Sequence, residues 1–102
     1  MSINIFYTTC SGIKESRKLA KRLIMERDIV CVNVIKNVES FYKESKNLKK
    51  TIESVLIIKT FFNKRKIEDL LKETHPYEIP FVVQFKSNQV NNEYLKWSKK
   101  NL

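Results

Sequence analysis

The sequence predicts an α+β fold built on an antiparallel sheet, and three observations carry that prediction. Runs rich in β-branched and aromatic residues alternate with two segments of helical periodicity. The two longest apolar runs are joined only by a polar turn, which is the pattern of a hairpin. The single glycine, Gly12, and both prolines, Pro76 and Pro80, fall between elements.

Ile3 to Cys10 alternates and carries isoleucine, tyrosine and threonine, so it reads as a first strand. Ser11-Gly12 breaks it and offers a cap for a helix in which Ile13, Ala20, Leu23 and Ile24 recur through about Arg27. Ile29 to Ile35 is a second strand continuing toward Phe41-Tyr42, and Glu44-Ser45-Lys46-Asn47 is the turn that follows. Thr51 to Phe62 is a third strand, centred on Val55-Leu56-Ile57-Ile58. Asn63 can cap a second helix with Ile67, Leu70, Leu71 and Thr74 on its apolar stripe. Phe81 to Phe85 makes a fourth strand, and Tyr94, Leu95 and Trp97 ride a short closing helix. The order βαββαβ plus a helix is the ferredoxin-like, split βαβ arrangement.

His75-Pro76-Tyr77-Glu78-Ile79-Pro80 divides the second helix from the fourth strand. Pro76 stops the helix and pushes His75 toward an extended backbone, while Pro80 suits a strand start. The only imidazole of the chain therefore sits at a rigid corner beside a tyrosine and a carboxylate.

Length and composition set outer limits. The 102 residues suit one domain, residues 1–102, and 42% hydrophobic with 30% charged content describes a globular chain. No apolar run nears the roughly 20 residues of a membrane span, and no basic leader precedes the first strand, so a cytoplasmic protein is expected. Cys10 and Cys31 are too few for a disulfide scaffold and read as reduced thiols. The net charge of +9 would suit a nucleic-acid binder. The lysines are scattered and interrupted by acids, however, so a solvated surface is preferred over nucleic-acid binding.

The central strands carry a further implication. Val55 and Ile57 point to one face and Leu56 and Ile58 to the other, and Val30, Val32 and Val34 oppose Cys31 and Ile35 in the same way. Strands apolar at consecutive positions are usually buried on both faces. Two helices cover one face only, so partner subunits are expected to cover the second.

Five fragments stand in the order and spacing of one family: Val30-Cys31-Val32-Asn33-Val34, Ser40-Phe41-Tyr42, Ile58-Lys59-Thr60, the stretch from His75 to Pro80, and Asn91 with Tyr94-Leu95-x-Trp97. On them the chain resembles the CutA divalent-ion tolerance family over nearly its whole length. The resemblance implies a ferredoxin-like subunit in a homotrimer joined through strands two and three. It also implies an association with tolerance of copper and other divalent metals. Several positions depart from the family pattern. Glu44, Lys46 and Asn47 occupy the family's Trp-x-Gly-Lys run, Phe81 replaces a glutamate, and Lys86 and Val90 replace a proline and a glycine. Copper sites in the family use a cysteine at the end of strand one and a histidine beside the His-Pro-Tyr corner. His75 matches the histidine, but Thr8 holds the cysteine position and Cys10 lies two residues on.

A closed zinc site takes about four ligands, which one histidine and two separated cysteines cannot supply. Copper accepts imidazole and thiolate at partly open sites, so His75, Cys10 and a carboxylate such as Glu78 could hold copper weakly across a subunit boundary. The competing reading makes His75 a structural residue that caps a helix end or bonds to backbone. Cys31 reads as a small buried hydrophobe, Tyr77 and Glu78 as a paired acid and phenol, and Tyr94 and Trp97 as aromatic cover. Lys64-Arg65-Lys66 opens the second helix with charge unfavourable to its dipole and reads as a solvated face. Enzyme signatures are absent: one glycine permits no phosphate loop or nucleophile elbow, and no serine stands in an activating motif with His75. Three readings follow. The first is a non-catalytic, CutA-like homotrimer with weak copper or other divalent-metal binding. The second is a nucleic-acid-binding ferredoxin-like module, and the third a sensor of small molecules in clefts between subunits.

Overall fold

The computed structural model describes residues 2–86 and 89–102. Its elements run β1 (Asn4–Ser11), α1 (Ile13–Ile24), β2 (Ile29–Glu44), β3 (Asn47–Thr60), α2 (Lys64–Thr74), β4 (Val82–Phe85) and α3 (Asn92–Lys100). The strands form one sheet in the order β2-β3-β1-β4 with every neighbouring pair antiparallel, the ferredoxin-like order expected from the sequence.

Register assigns the faces. Phe6, Thr8 and Cys10 on β1 stand opposite Ile58, Leu56 and Ser54 on β3, and all six are buried. Leu19 and Leu23 of α1 and Ile67, Leu70 and Leu71 of α2 pack on this inward face in one cluster with Phe6, Leu56 and Ile58. The outward face carries Ile5, Tyr7 and Thr9 opposite Lys59, Ile57 and Val55. Part of it is roofed by α3, where the Lys59 ammonium lies 5.7 Å from the Tyr94 ring centre.

Local chemistry accounts for most element ends. Asn63 caps α2 as expected, its Oδ1 accepting the Lys66 N–H at 2.9 Å. The expected Ser11 cap of α1 does not form, because Ser11 stays in β1 and Gly12 stands at the N-cap with φ 53°. Ser16 instead donates its hydroxyl to the Gly12 carbonyl at 2.6 Å. At α2 the unfavourable cations are partly relieved by Lys64 reaching Glu68 at 2.7 Å, a surface pair worth little.

The hairpin exceeds its sequence-based bounds, since β3 begins at Asn47 instead of Thr51. β2 and β3 thus project beyond the helices as an arm, and the chain measures 48 Å along its longest axis. A bulge interrupts the arm: Ile35 pairs with Val55 but Val38 pairs with Glu53, so Lys36 and Asn37 together face one residue. Asn37 accommodates it in the left-handed region, φ 61°. Beyond the bulge the alternation of β2 reverses, and Val38, Ser40 and Tyr42 take the outward face.

Double-sided burial holds for the middle of β3, where Val55 is 5% and Leu56 0% exposed. It fails for β2 and the arm within one chain. Ile35 is 49% exposed outward, and Phe41 and Leu48 are 62% and 76% exposed. Two helices and α3 are too short to reach that far. Cys31 is half-buried at the free edge of β2, not enclosed as expected.

The turn at the arm's tip keeps two residues at positive φ, Ser45 at 49° and Lys46 at 69°. This is the two-residue turn that matches strand twist, and it favours glycine. Lys46 occupies the family's glycine position and bears the strain of the left-handed region. Lys46→Gly should therefore raise stability by about 1 kcal/mol, read as a higher urea midpoint at unchanged slope. An unchanged or lower midpoint would contradict this account of the turn.

Candidate functional site

The His-Pro-Tyr corner is the chemically densest part of the molecule. At the end of α2 the His75 N–H donates to the Leu71 carbonyl at 2.9 Å, and the His75 backbone then turns extended, as Pro76 requires. The imidazole is only 8% exposed, and both its nitrogens are engaged. Nδ1 accepts the Tyr77 N–H at 3.0 Å, which assigns the ring proton to Nε2. Nε2–H donates to the Thr9 carbonyl at 2.8 Å, with the Thr8 hydroxyl 3.3 Å away. One ring thereby ties the end of a helix to a central strand. Burial lowers the His75 pKa below its ordinary 6.5, and the Thr9 bond and Glu53 oppose that shift.

Tyr77 carries the corner to the other side of the sheet. Its hydroxyl donates to Glu53 Oε2 at 2.5 Å, and its ring lies 5.0 Å from that of His75. Burial first, and then the Glu53 carboxylate, push the phenol pKa well above its ordinary 10, so Tyr77 remains a donor at neutral pH. The expected pairing of Tyr77 with Glu78 is corrected here. Glu78 is exposed, and the carboxylate that meets the phenol is Glu53, supplied by β3. Nothing local in the sequence marks Glu53; only the strand register brings it to the corner.

Cys10 is fully buried on the inward face of β1 and stands opposite Ser54. Burial pushes its thiol pKa up, partly offset by hydrogen bonds with Ser16 and the Ser11 backbone. A sealed, protonated thiol is a poor metal ligand. Among the described residues no three His, Cys, Asp or Glu side chains gather closely enough to hold a metal ion. One subunit therefore does not present His75, Cys10 and Glu78 as a ligand set. The backbone-bonding reading of His75 is the one its geometry supports.

Tyr94 lies half-buried over Lys59, and Trp97 packs on it at 5.4 Å while staying half-exposed. No helix among the described residues is long and apolar enough to cross a membrane.

Comparison with known proteins extends this picture. Residues 4–101 match the family model of the CutA1 divalent ion tolerance protein. The chain belongs to this CutA1 family. It is 32% identical to the divalent-cation tolerance protein CutA of Pyrococcus horikoshii over 94 residues, covering 91% of each chain. It is also 32% identical to a Xenopus laevis CutA homologue over 97 residues, covering 94% of this chain but only 64% of that longer protein. The crystal structure of CutA1 from Ehrlichia chaffeensis superposes with a TM-score of 0.89 at 21% identity, covering 97% of this chain and 94% of the other. At that identity the likeness shows the shared fold.

The buried neutral His75 makes stability proton-linked. Its folded pKa lies below the unfolded value, so between the two the unfolded chain binds more protons and stability falls as pH drops. Urea midpoints should thus decline as pH is lowered below about 6.5. His75→Asn, which can still accept the Tyr77 N–H, should flatten that decline. An identical pH slope in the variant would assign the effect to other groups.

Proposed function

We propose that this CutA1-family chain acts as a non-catalytic, cytoplasmic homotrimer in divalent-cation tolerance. The observation that carries the reading is the projecting arm. On an isolated chain Phe41, Leu48 and Ile52 lie about half exposed or more on one face of the two-stranded ribbon, while Tyr42 is exposed on the other face and Ile35 on that same outward side before the bulge. Such a ribbon is at best marginally stable in water by itself. Fully burying each large apolar side chain yields roughly 1.5–3 kcal/mol, so neighbouring copies laid against the arm supply a strong drive to assemble. Edge strand β2 adds unpaired backbone groups along the same margin. A base-stacking platform has less support, because the middle of β3 shows Val55 and Ile57 to the outward face.

Weak copper binding is the second part of the proposal, with His75, Cys10 and Glu78 as donors across a subunit boundary. For that, His75 must release the Tyr77 N–H, a loss of about 1–3 kcal/mol, and Cys10 must be uncovered. Low affinity follows directly.

Light scattering after size exclusion should give three times the subunit mass of 12.2 kDa. Leu48→Lys should shift the population toward smaller species, whereas a monomeric wild type would defeat the assembly reading. Copper titration should show weaker binding in His75→Ala than in wild type; equal affinity removes His75 from the ligand set.

A further inference from the structure

We infer that the solvent-facing side of α1 binds the phosphate backbone of a B-form DNA duplex. The basis is a segregation of charge that the fold creates. Along the chain the basic residues are dispersed among acids. Once α1 is wound, every exposed residue from Lys14 to Arg22 is a cation: Lys14, Arg17, Lys18, Lys21 and Arg22. Separations of three and four residues put them on one side of the helix. At about 100° per residue they cover an arc of roughly 140°, opposite the core-facing Ser16, Leu19, Ala20 and Leu23. Glu15, the one acid of the helix, lies half-buried at the rim of that arc.

The neighbouring helix shows what an ordinary solvated face looks like. On α2 the exposed Lys64, Arg65, Lys66 and Lys72 are interleaved with Asp69 and Glu73, and Lys64 reaches Glu68 at 2.7 Å. On α1, among the described residues, only Arg22 has an acidic partner, Glu26 at 3.4 Å. Like charges stand four residues apart in Lys14 with Lys18, Arg17 with Lys21, and Lys18 with Arg22, each pair unfavourable to the helix. Lys14 also stands in the first turn, against the dipole. The folded chain bears this repulsion without an internal contact in return, and a polyanion relieves it.

The stripe stays open in the proposed assembly. α1 follows the end of β1, where Ser11 pairs with Glu53 at the root of the arm, and runs back toward Ile29 at the opposite end of the sheet. Neighbours laid on the outward face lie across the sheet from it. A neighbour paired to the edge of β2 lies in the plane of the sheet, roughly a helix diameter of 10 Å below the cations.

Shape selects the partner. Arg17 and Arg22 point about 140° apart, so a flat anionic bilayer meets chiefly the lysines between them. A groove meets all five. The major groove of B-form DNA is about 12 Å wide, admits an α-helix and is walled by phosphates on both sides. The stripe from Lys14 to Arg22 is itself about 12 Å long. It is all cation, with no asparagine or glutamine to discriminate bases, which assigns its contacts to phosphates and makes binding independent of sequence.

The test titrates the assembled protein, in excess, into a labelled DNA duplex of about 12 base pairs, with anisotropy as the readout. With five phosphates neutralised, log affinity should fall against log salt with a slope of about −4.5, a loss of several hundredfold between about 50 and 200 mM. Arg17→Gln/Lys18→Gln/Lys21→Gln should make that slope shallower by about 3, leaving a loss of about tenfold over the same range. Arg65→Gln/Lys66→Gln/Lys72→Gln, of identical net charge, should keep the wild-type slope. Equal weakening in the two triple variants reports overall charge and overturns the proposal, as does failure of the wild type to bind the duplex at about 50 mM salt. Stripe-dependent binding to phosphatidylserine vesicles, with no effect of the stripe on the duplex, assigns the face to a bilayer and overturns it. Light scattering that shows subunit dissociation in the stripe variant assigns the face to a neighbouring copy and overturns it too.

Discussion

The bond from His75 Nε2 to the Thr9 carbonyl is the constraint on which the arrangement of this molecule depends. The chain leaves α2 in the helical layer and must reach β4 in the sheet while passing the end of β1. A passage of that kind exposes backbone groups that would be costly if buried without partners. The sequence meets the requirement with two prolines, which have no N–H to satisfy, and one imidazole that serves a donor and an acceptor at once. His75 can do this only as the neutral tautomer, so the protonation state of one side chain and the path of six residues are a single problem. Within one subunit these bonds make the histidine a strut between the helix end and the sheet.

The second constraint is the length of the hairpin. Core burial ends near Val55, while β2 and β3 continue well past the helices that would cover them. A sheet extended in this way exposes apolar groups on two faces and backbone groups on one edge. Such surfaces are characteristic of sites where another chain docks. The exposed arm thus supports the proposed assembly on grounds of solvation.

Much of this was legible in sequence. Element order, the Asn63 cap, the break at Pro76 and the extended His75 all follow from residues acting on their immediate neighbours. The Ser11 cap failed because strand pairing outweighed a local hydroxyl, a tertiary override of propensity. What stayed hidden depends on register. The bulge at Lys36-Asn37 reverses the faces of β2, yet neither residue announces it, since asparagine is only mildly favoured at positive φ. Cys10, two residues on from Thr8, shares its face of β1, and that face is the sealed one. Glu53 escaped notice because its partner lies 24 residues away and is met only across the sheet.

These two constraints meet at one residue. Glu53 pairs with Val38, the first register position after the bulge, so it stands where the arm departs from the body. The same carboxylate receives the Tyr77 hydroxyl, and Tyr77 is fixed through its own N–H by His75. A continuous path of hydrogen bonds therefore runs from the Thr9 carbonyl through the imidazole and the phenol to the root of the hairpin. Each link is a short bond between partly or fully buried groups, where polar contacts are stronger than in water. The direction of the arm is consequently set by two devices: a bulge that turns the strand and a phenol that braces it.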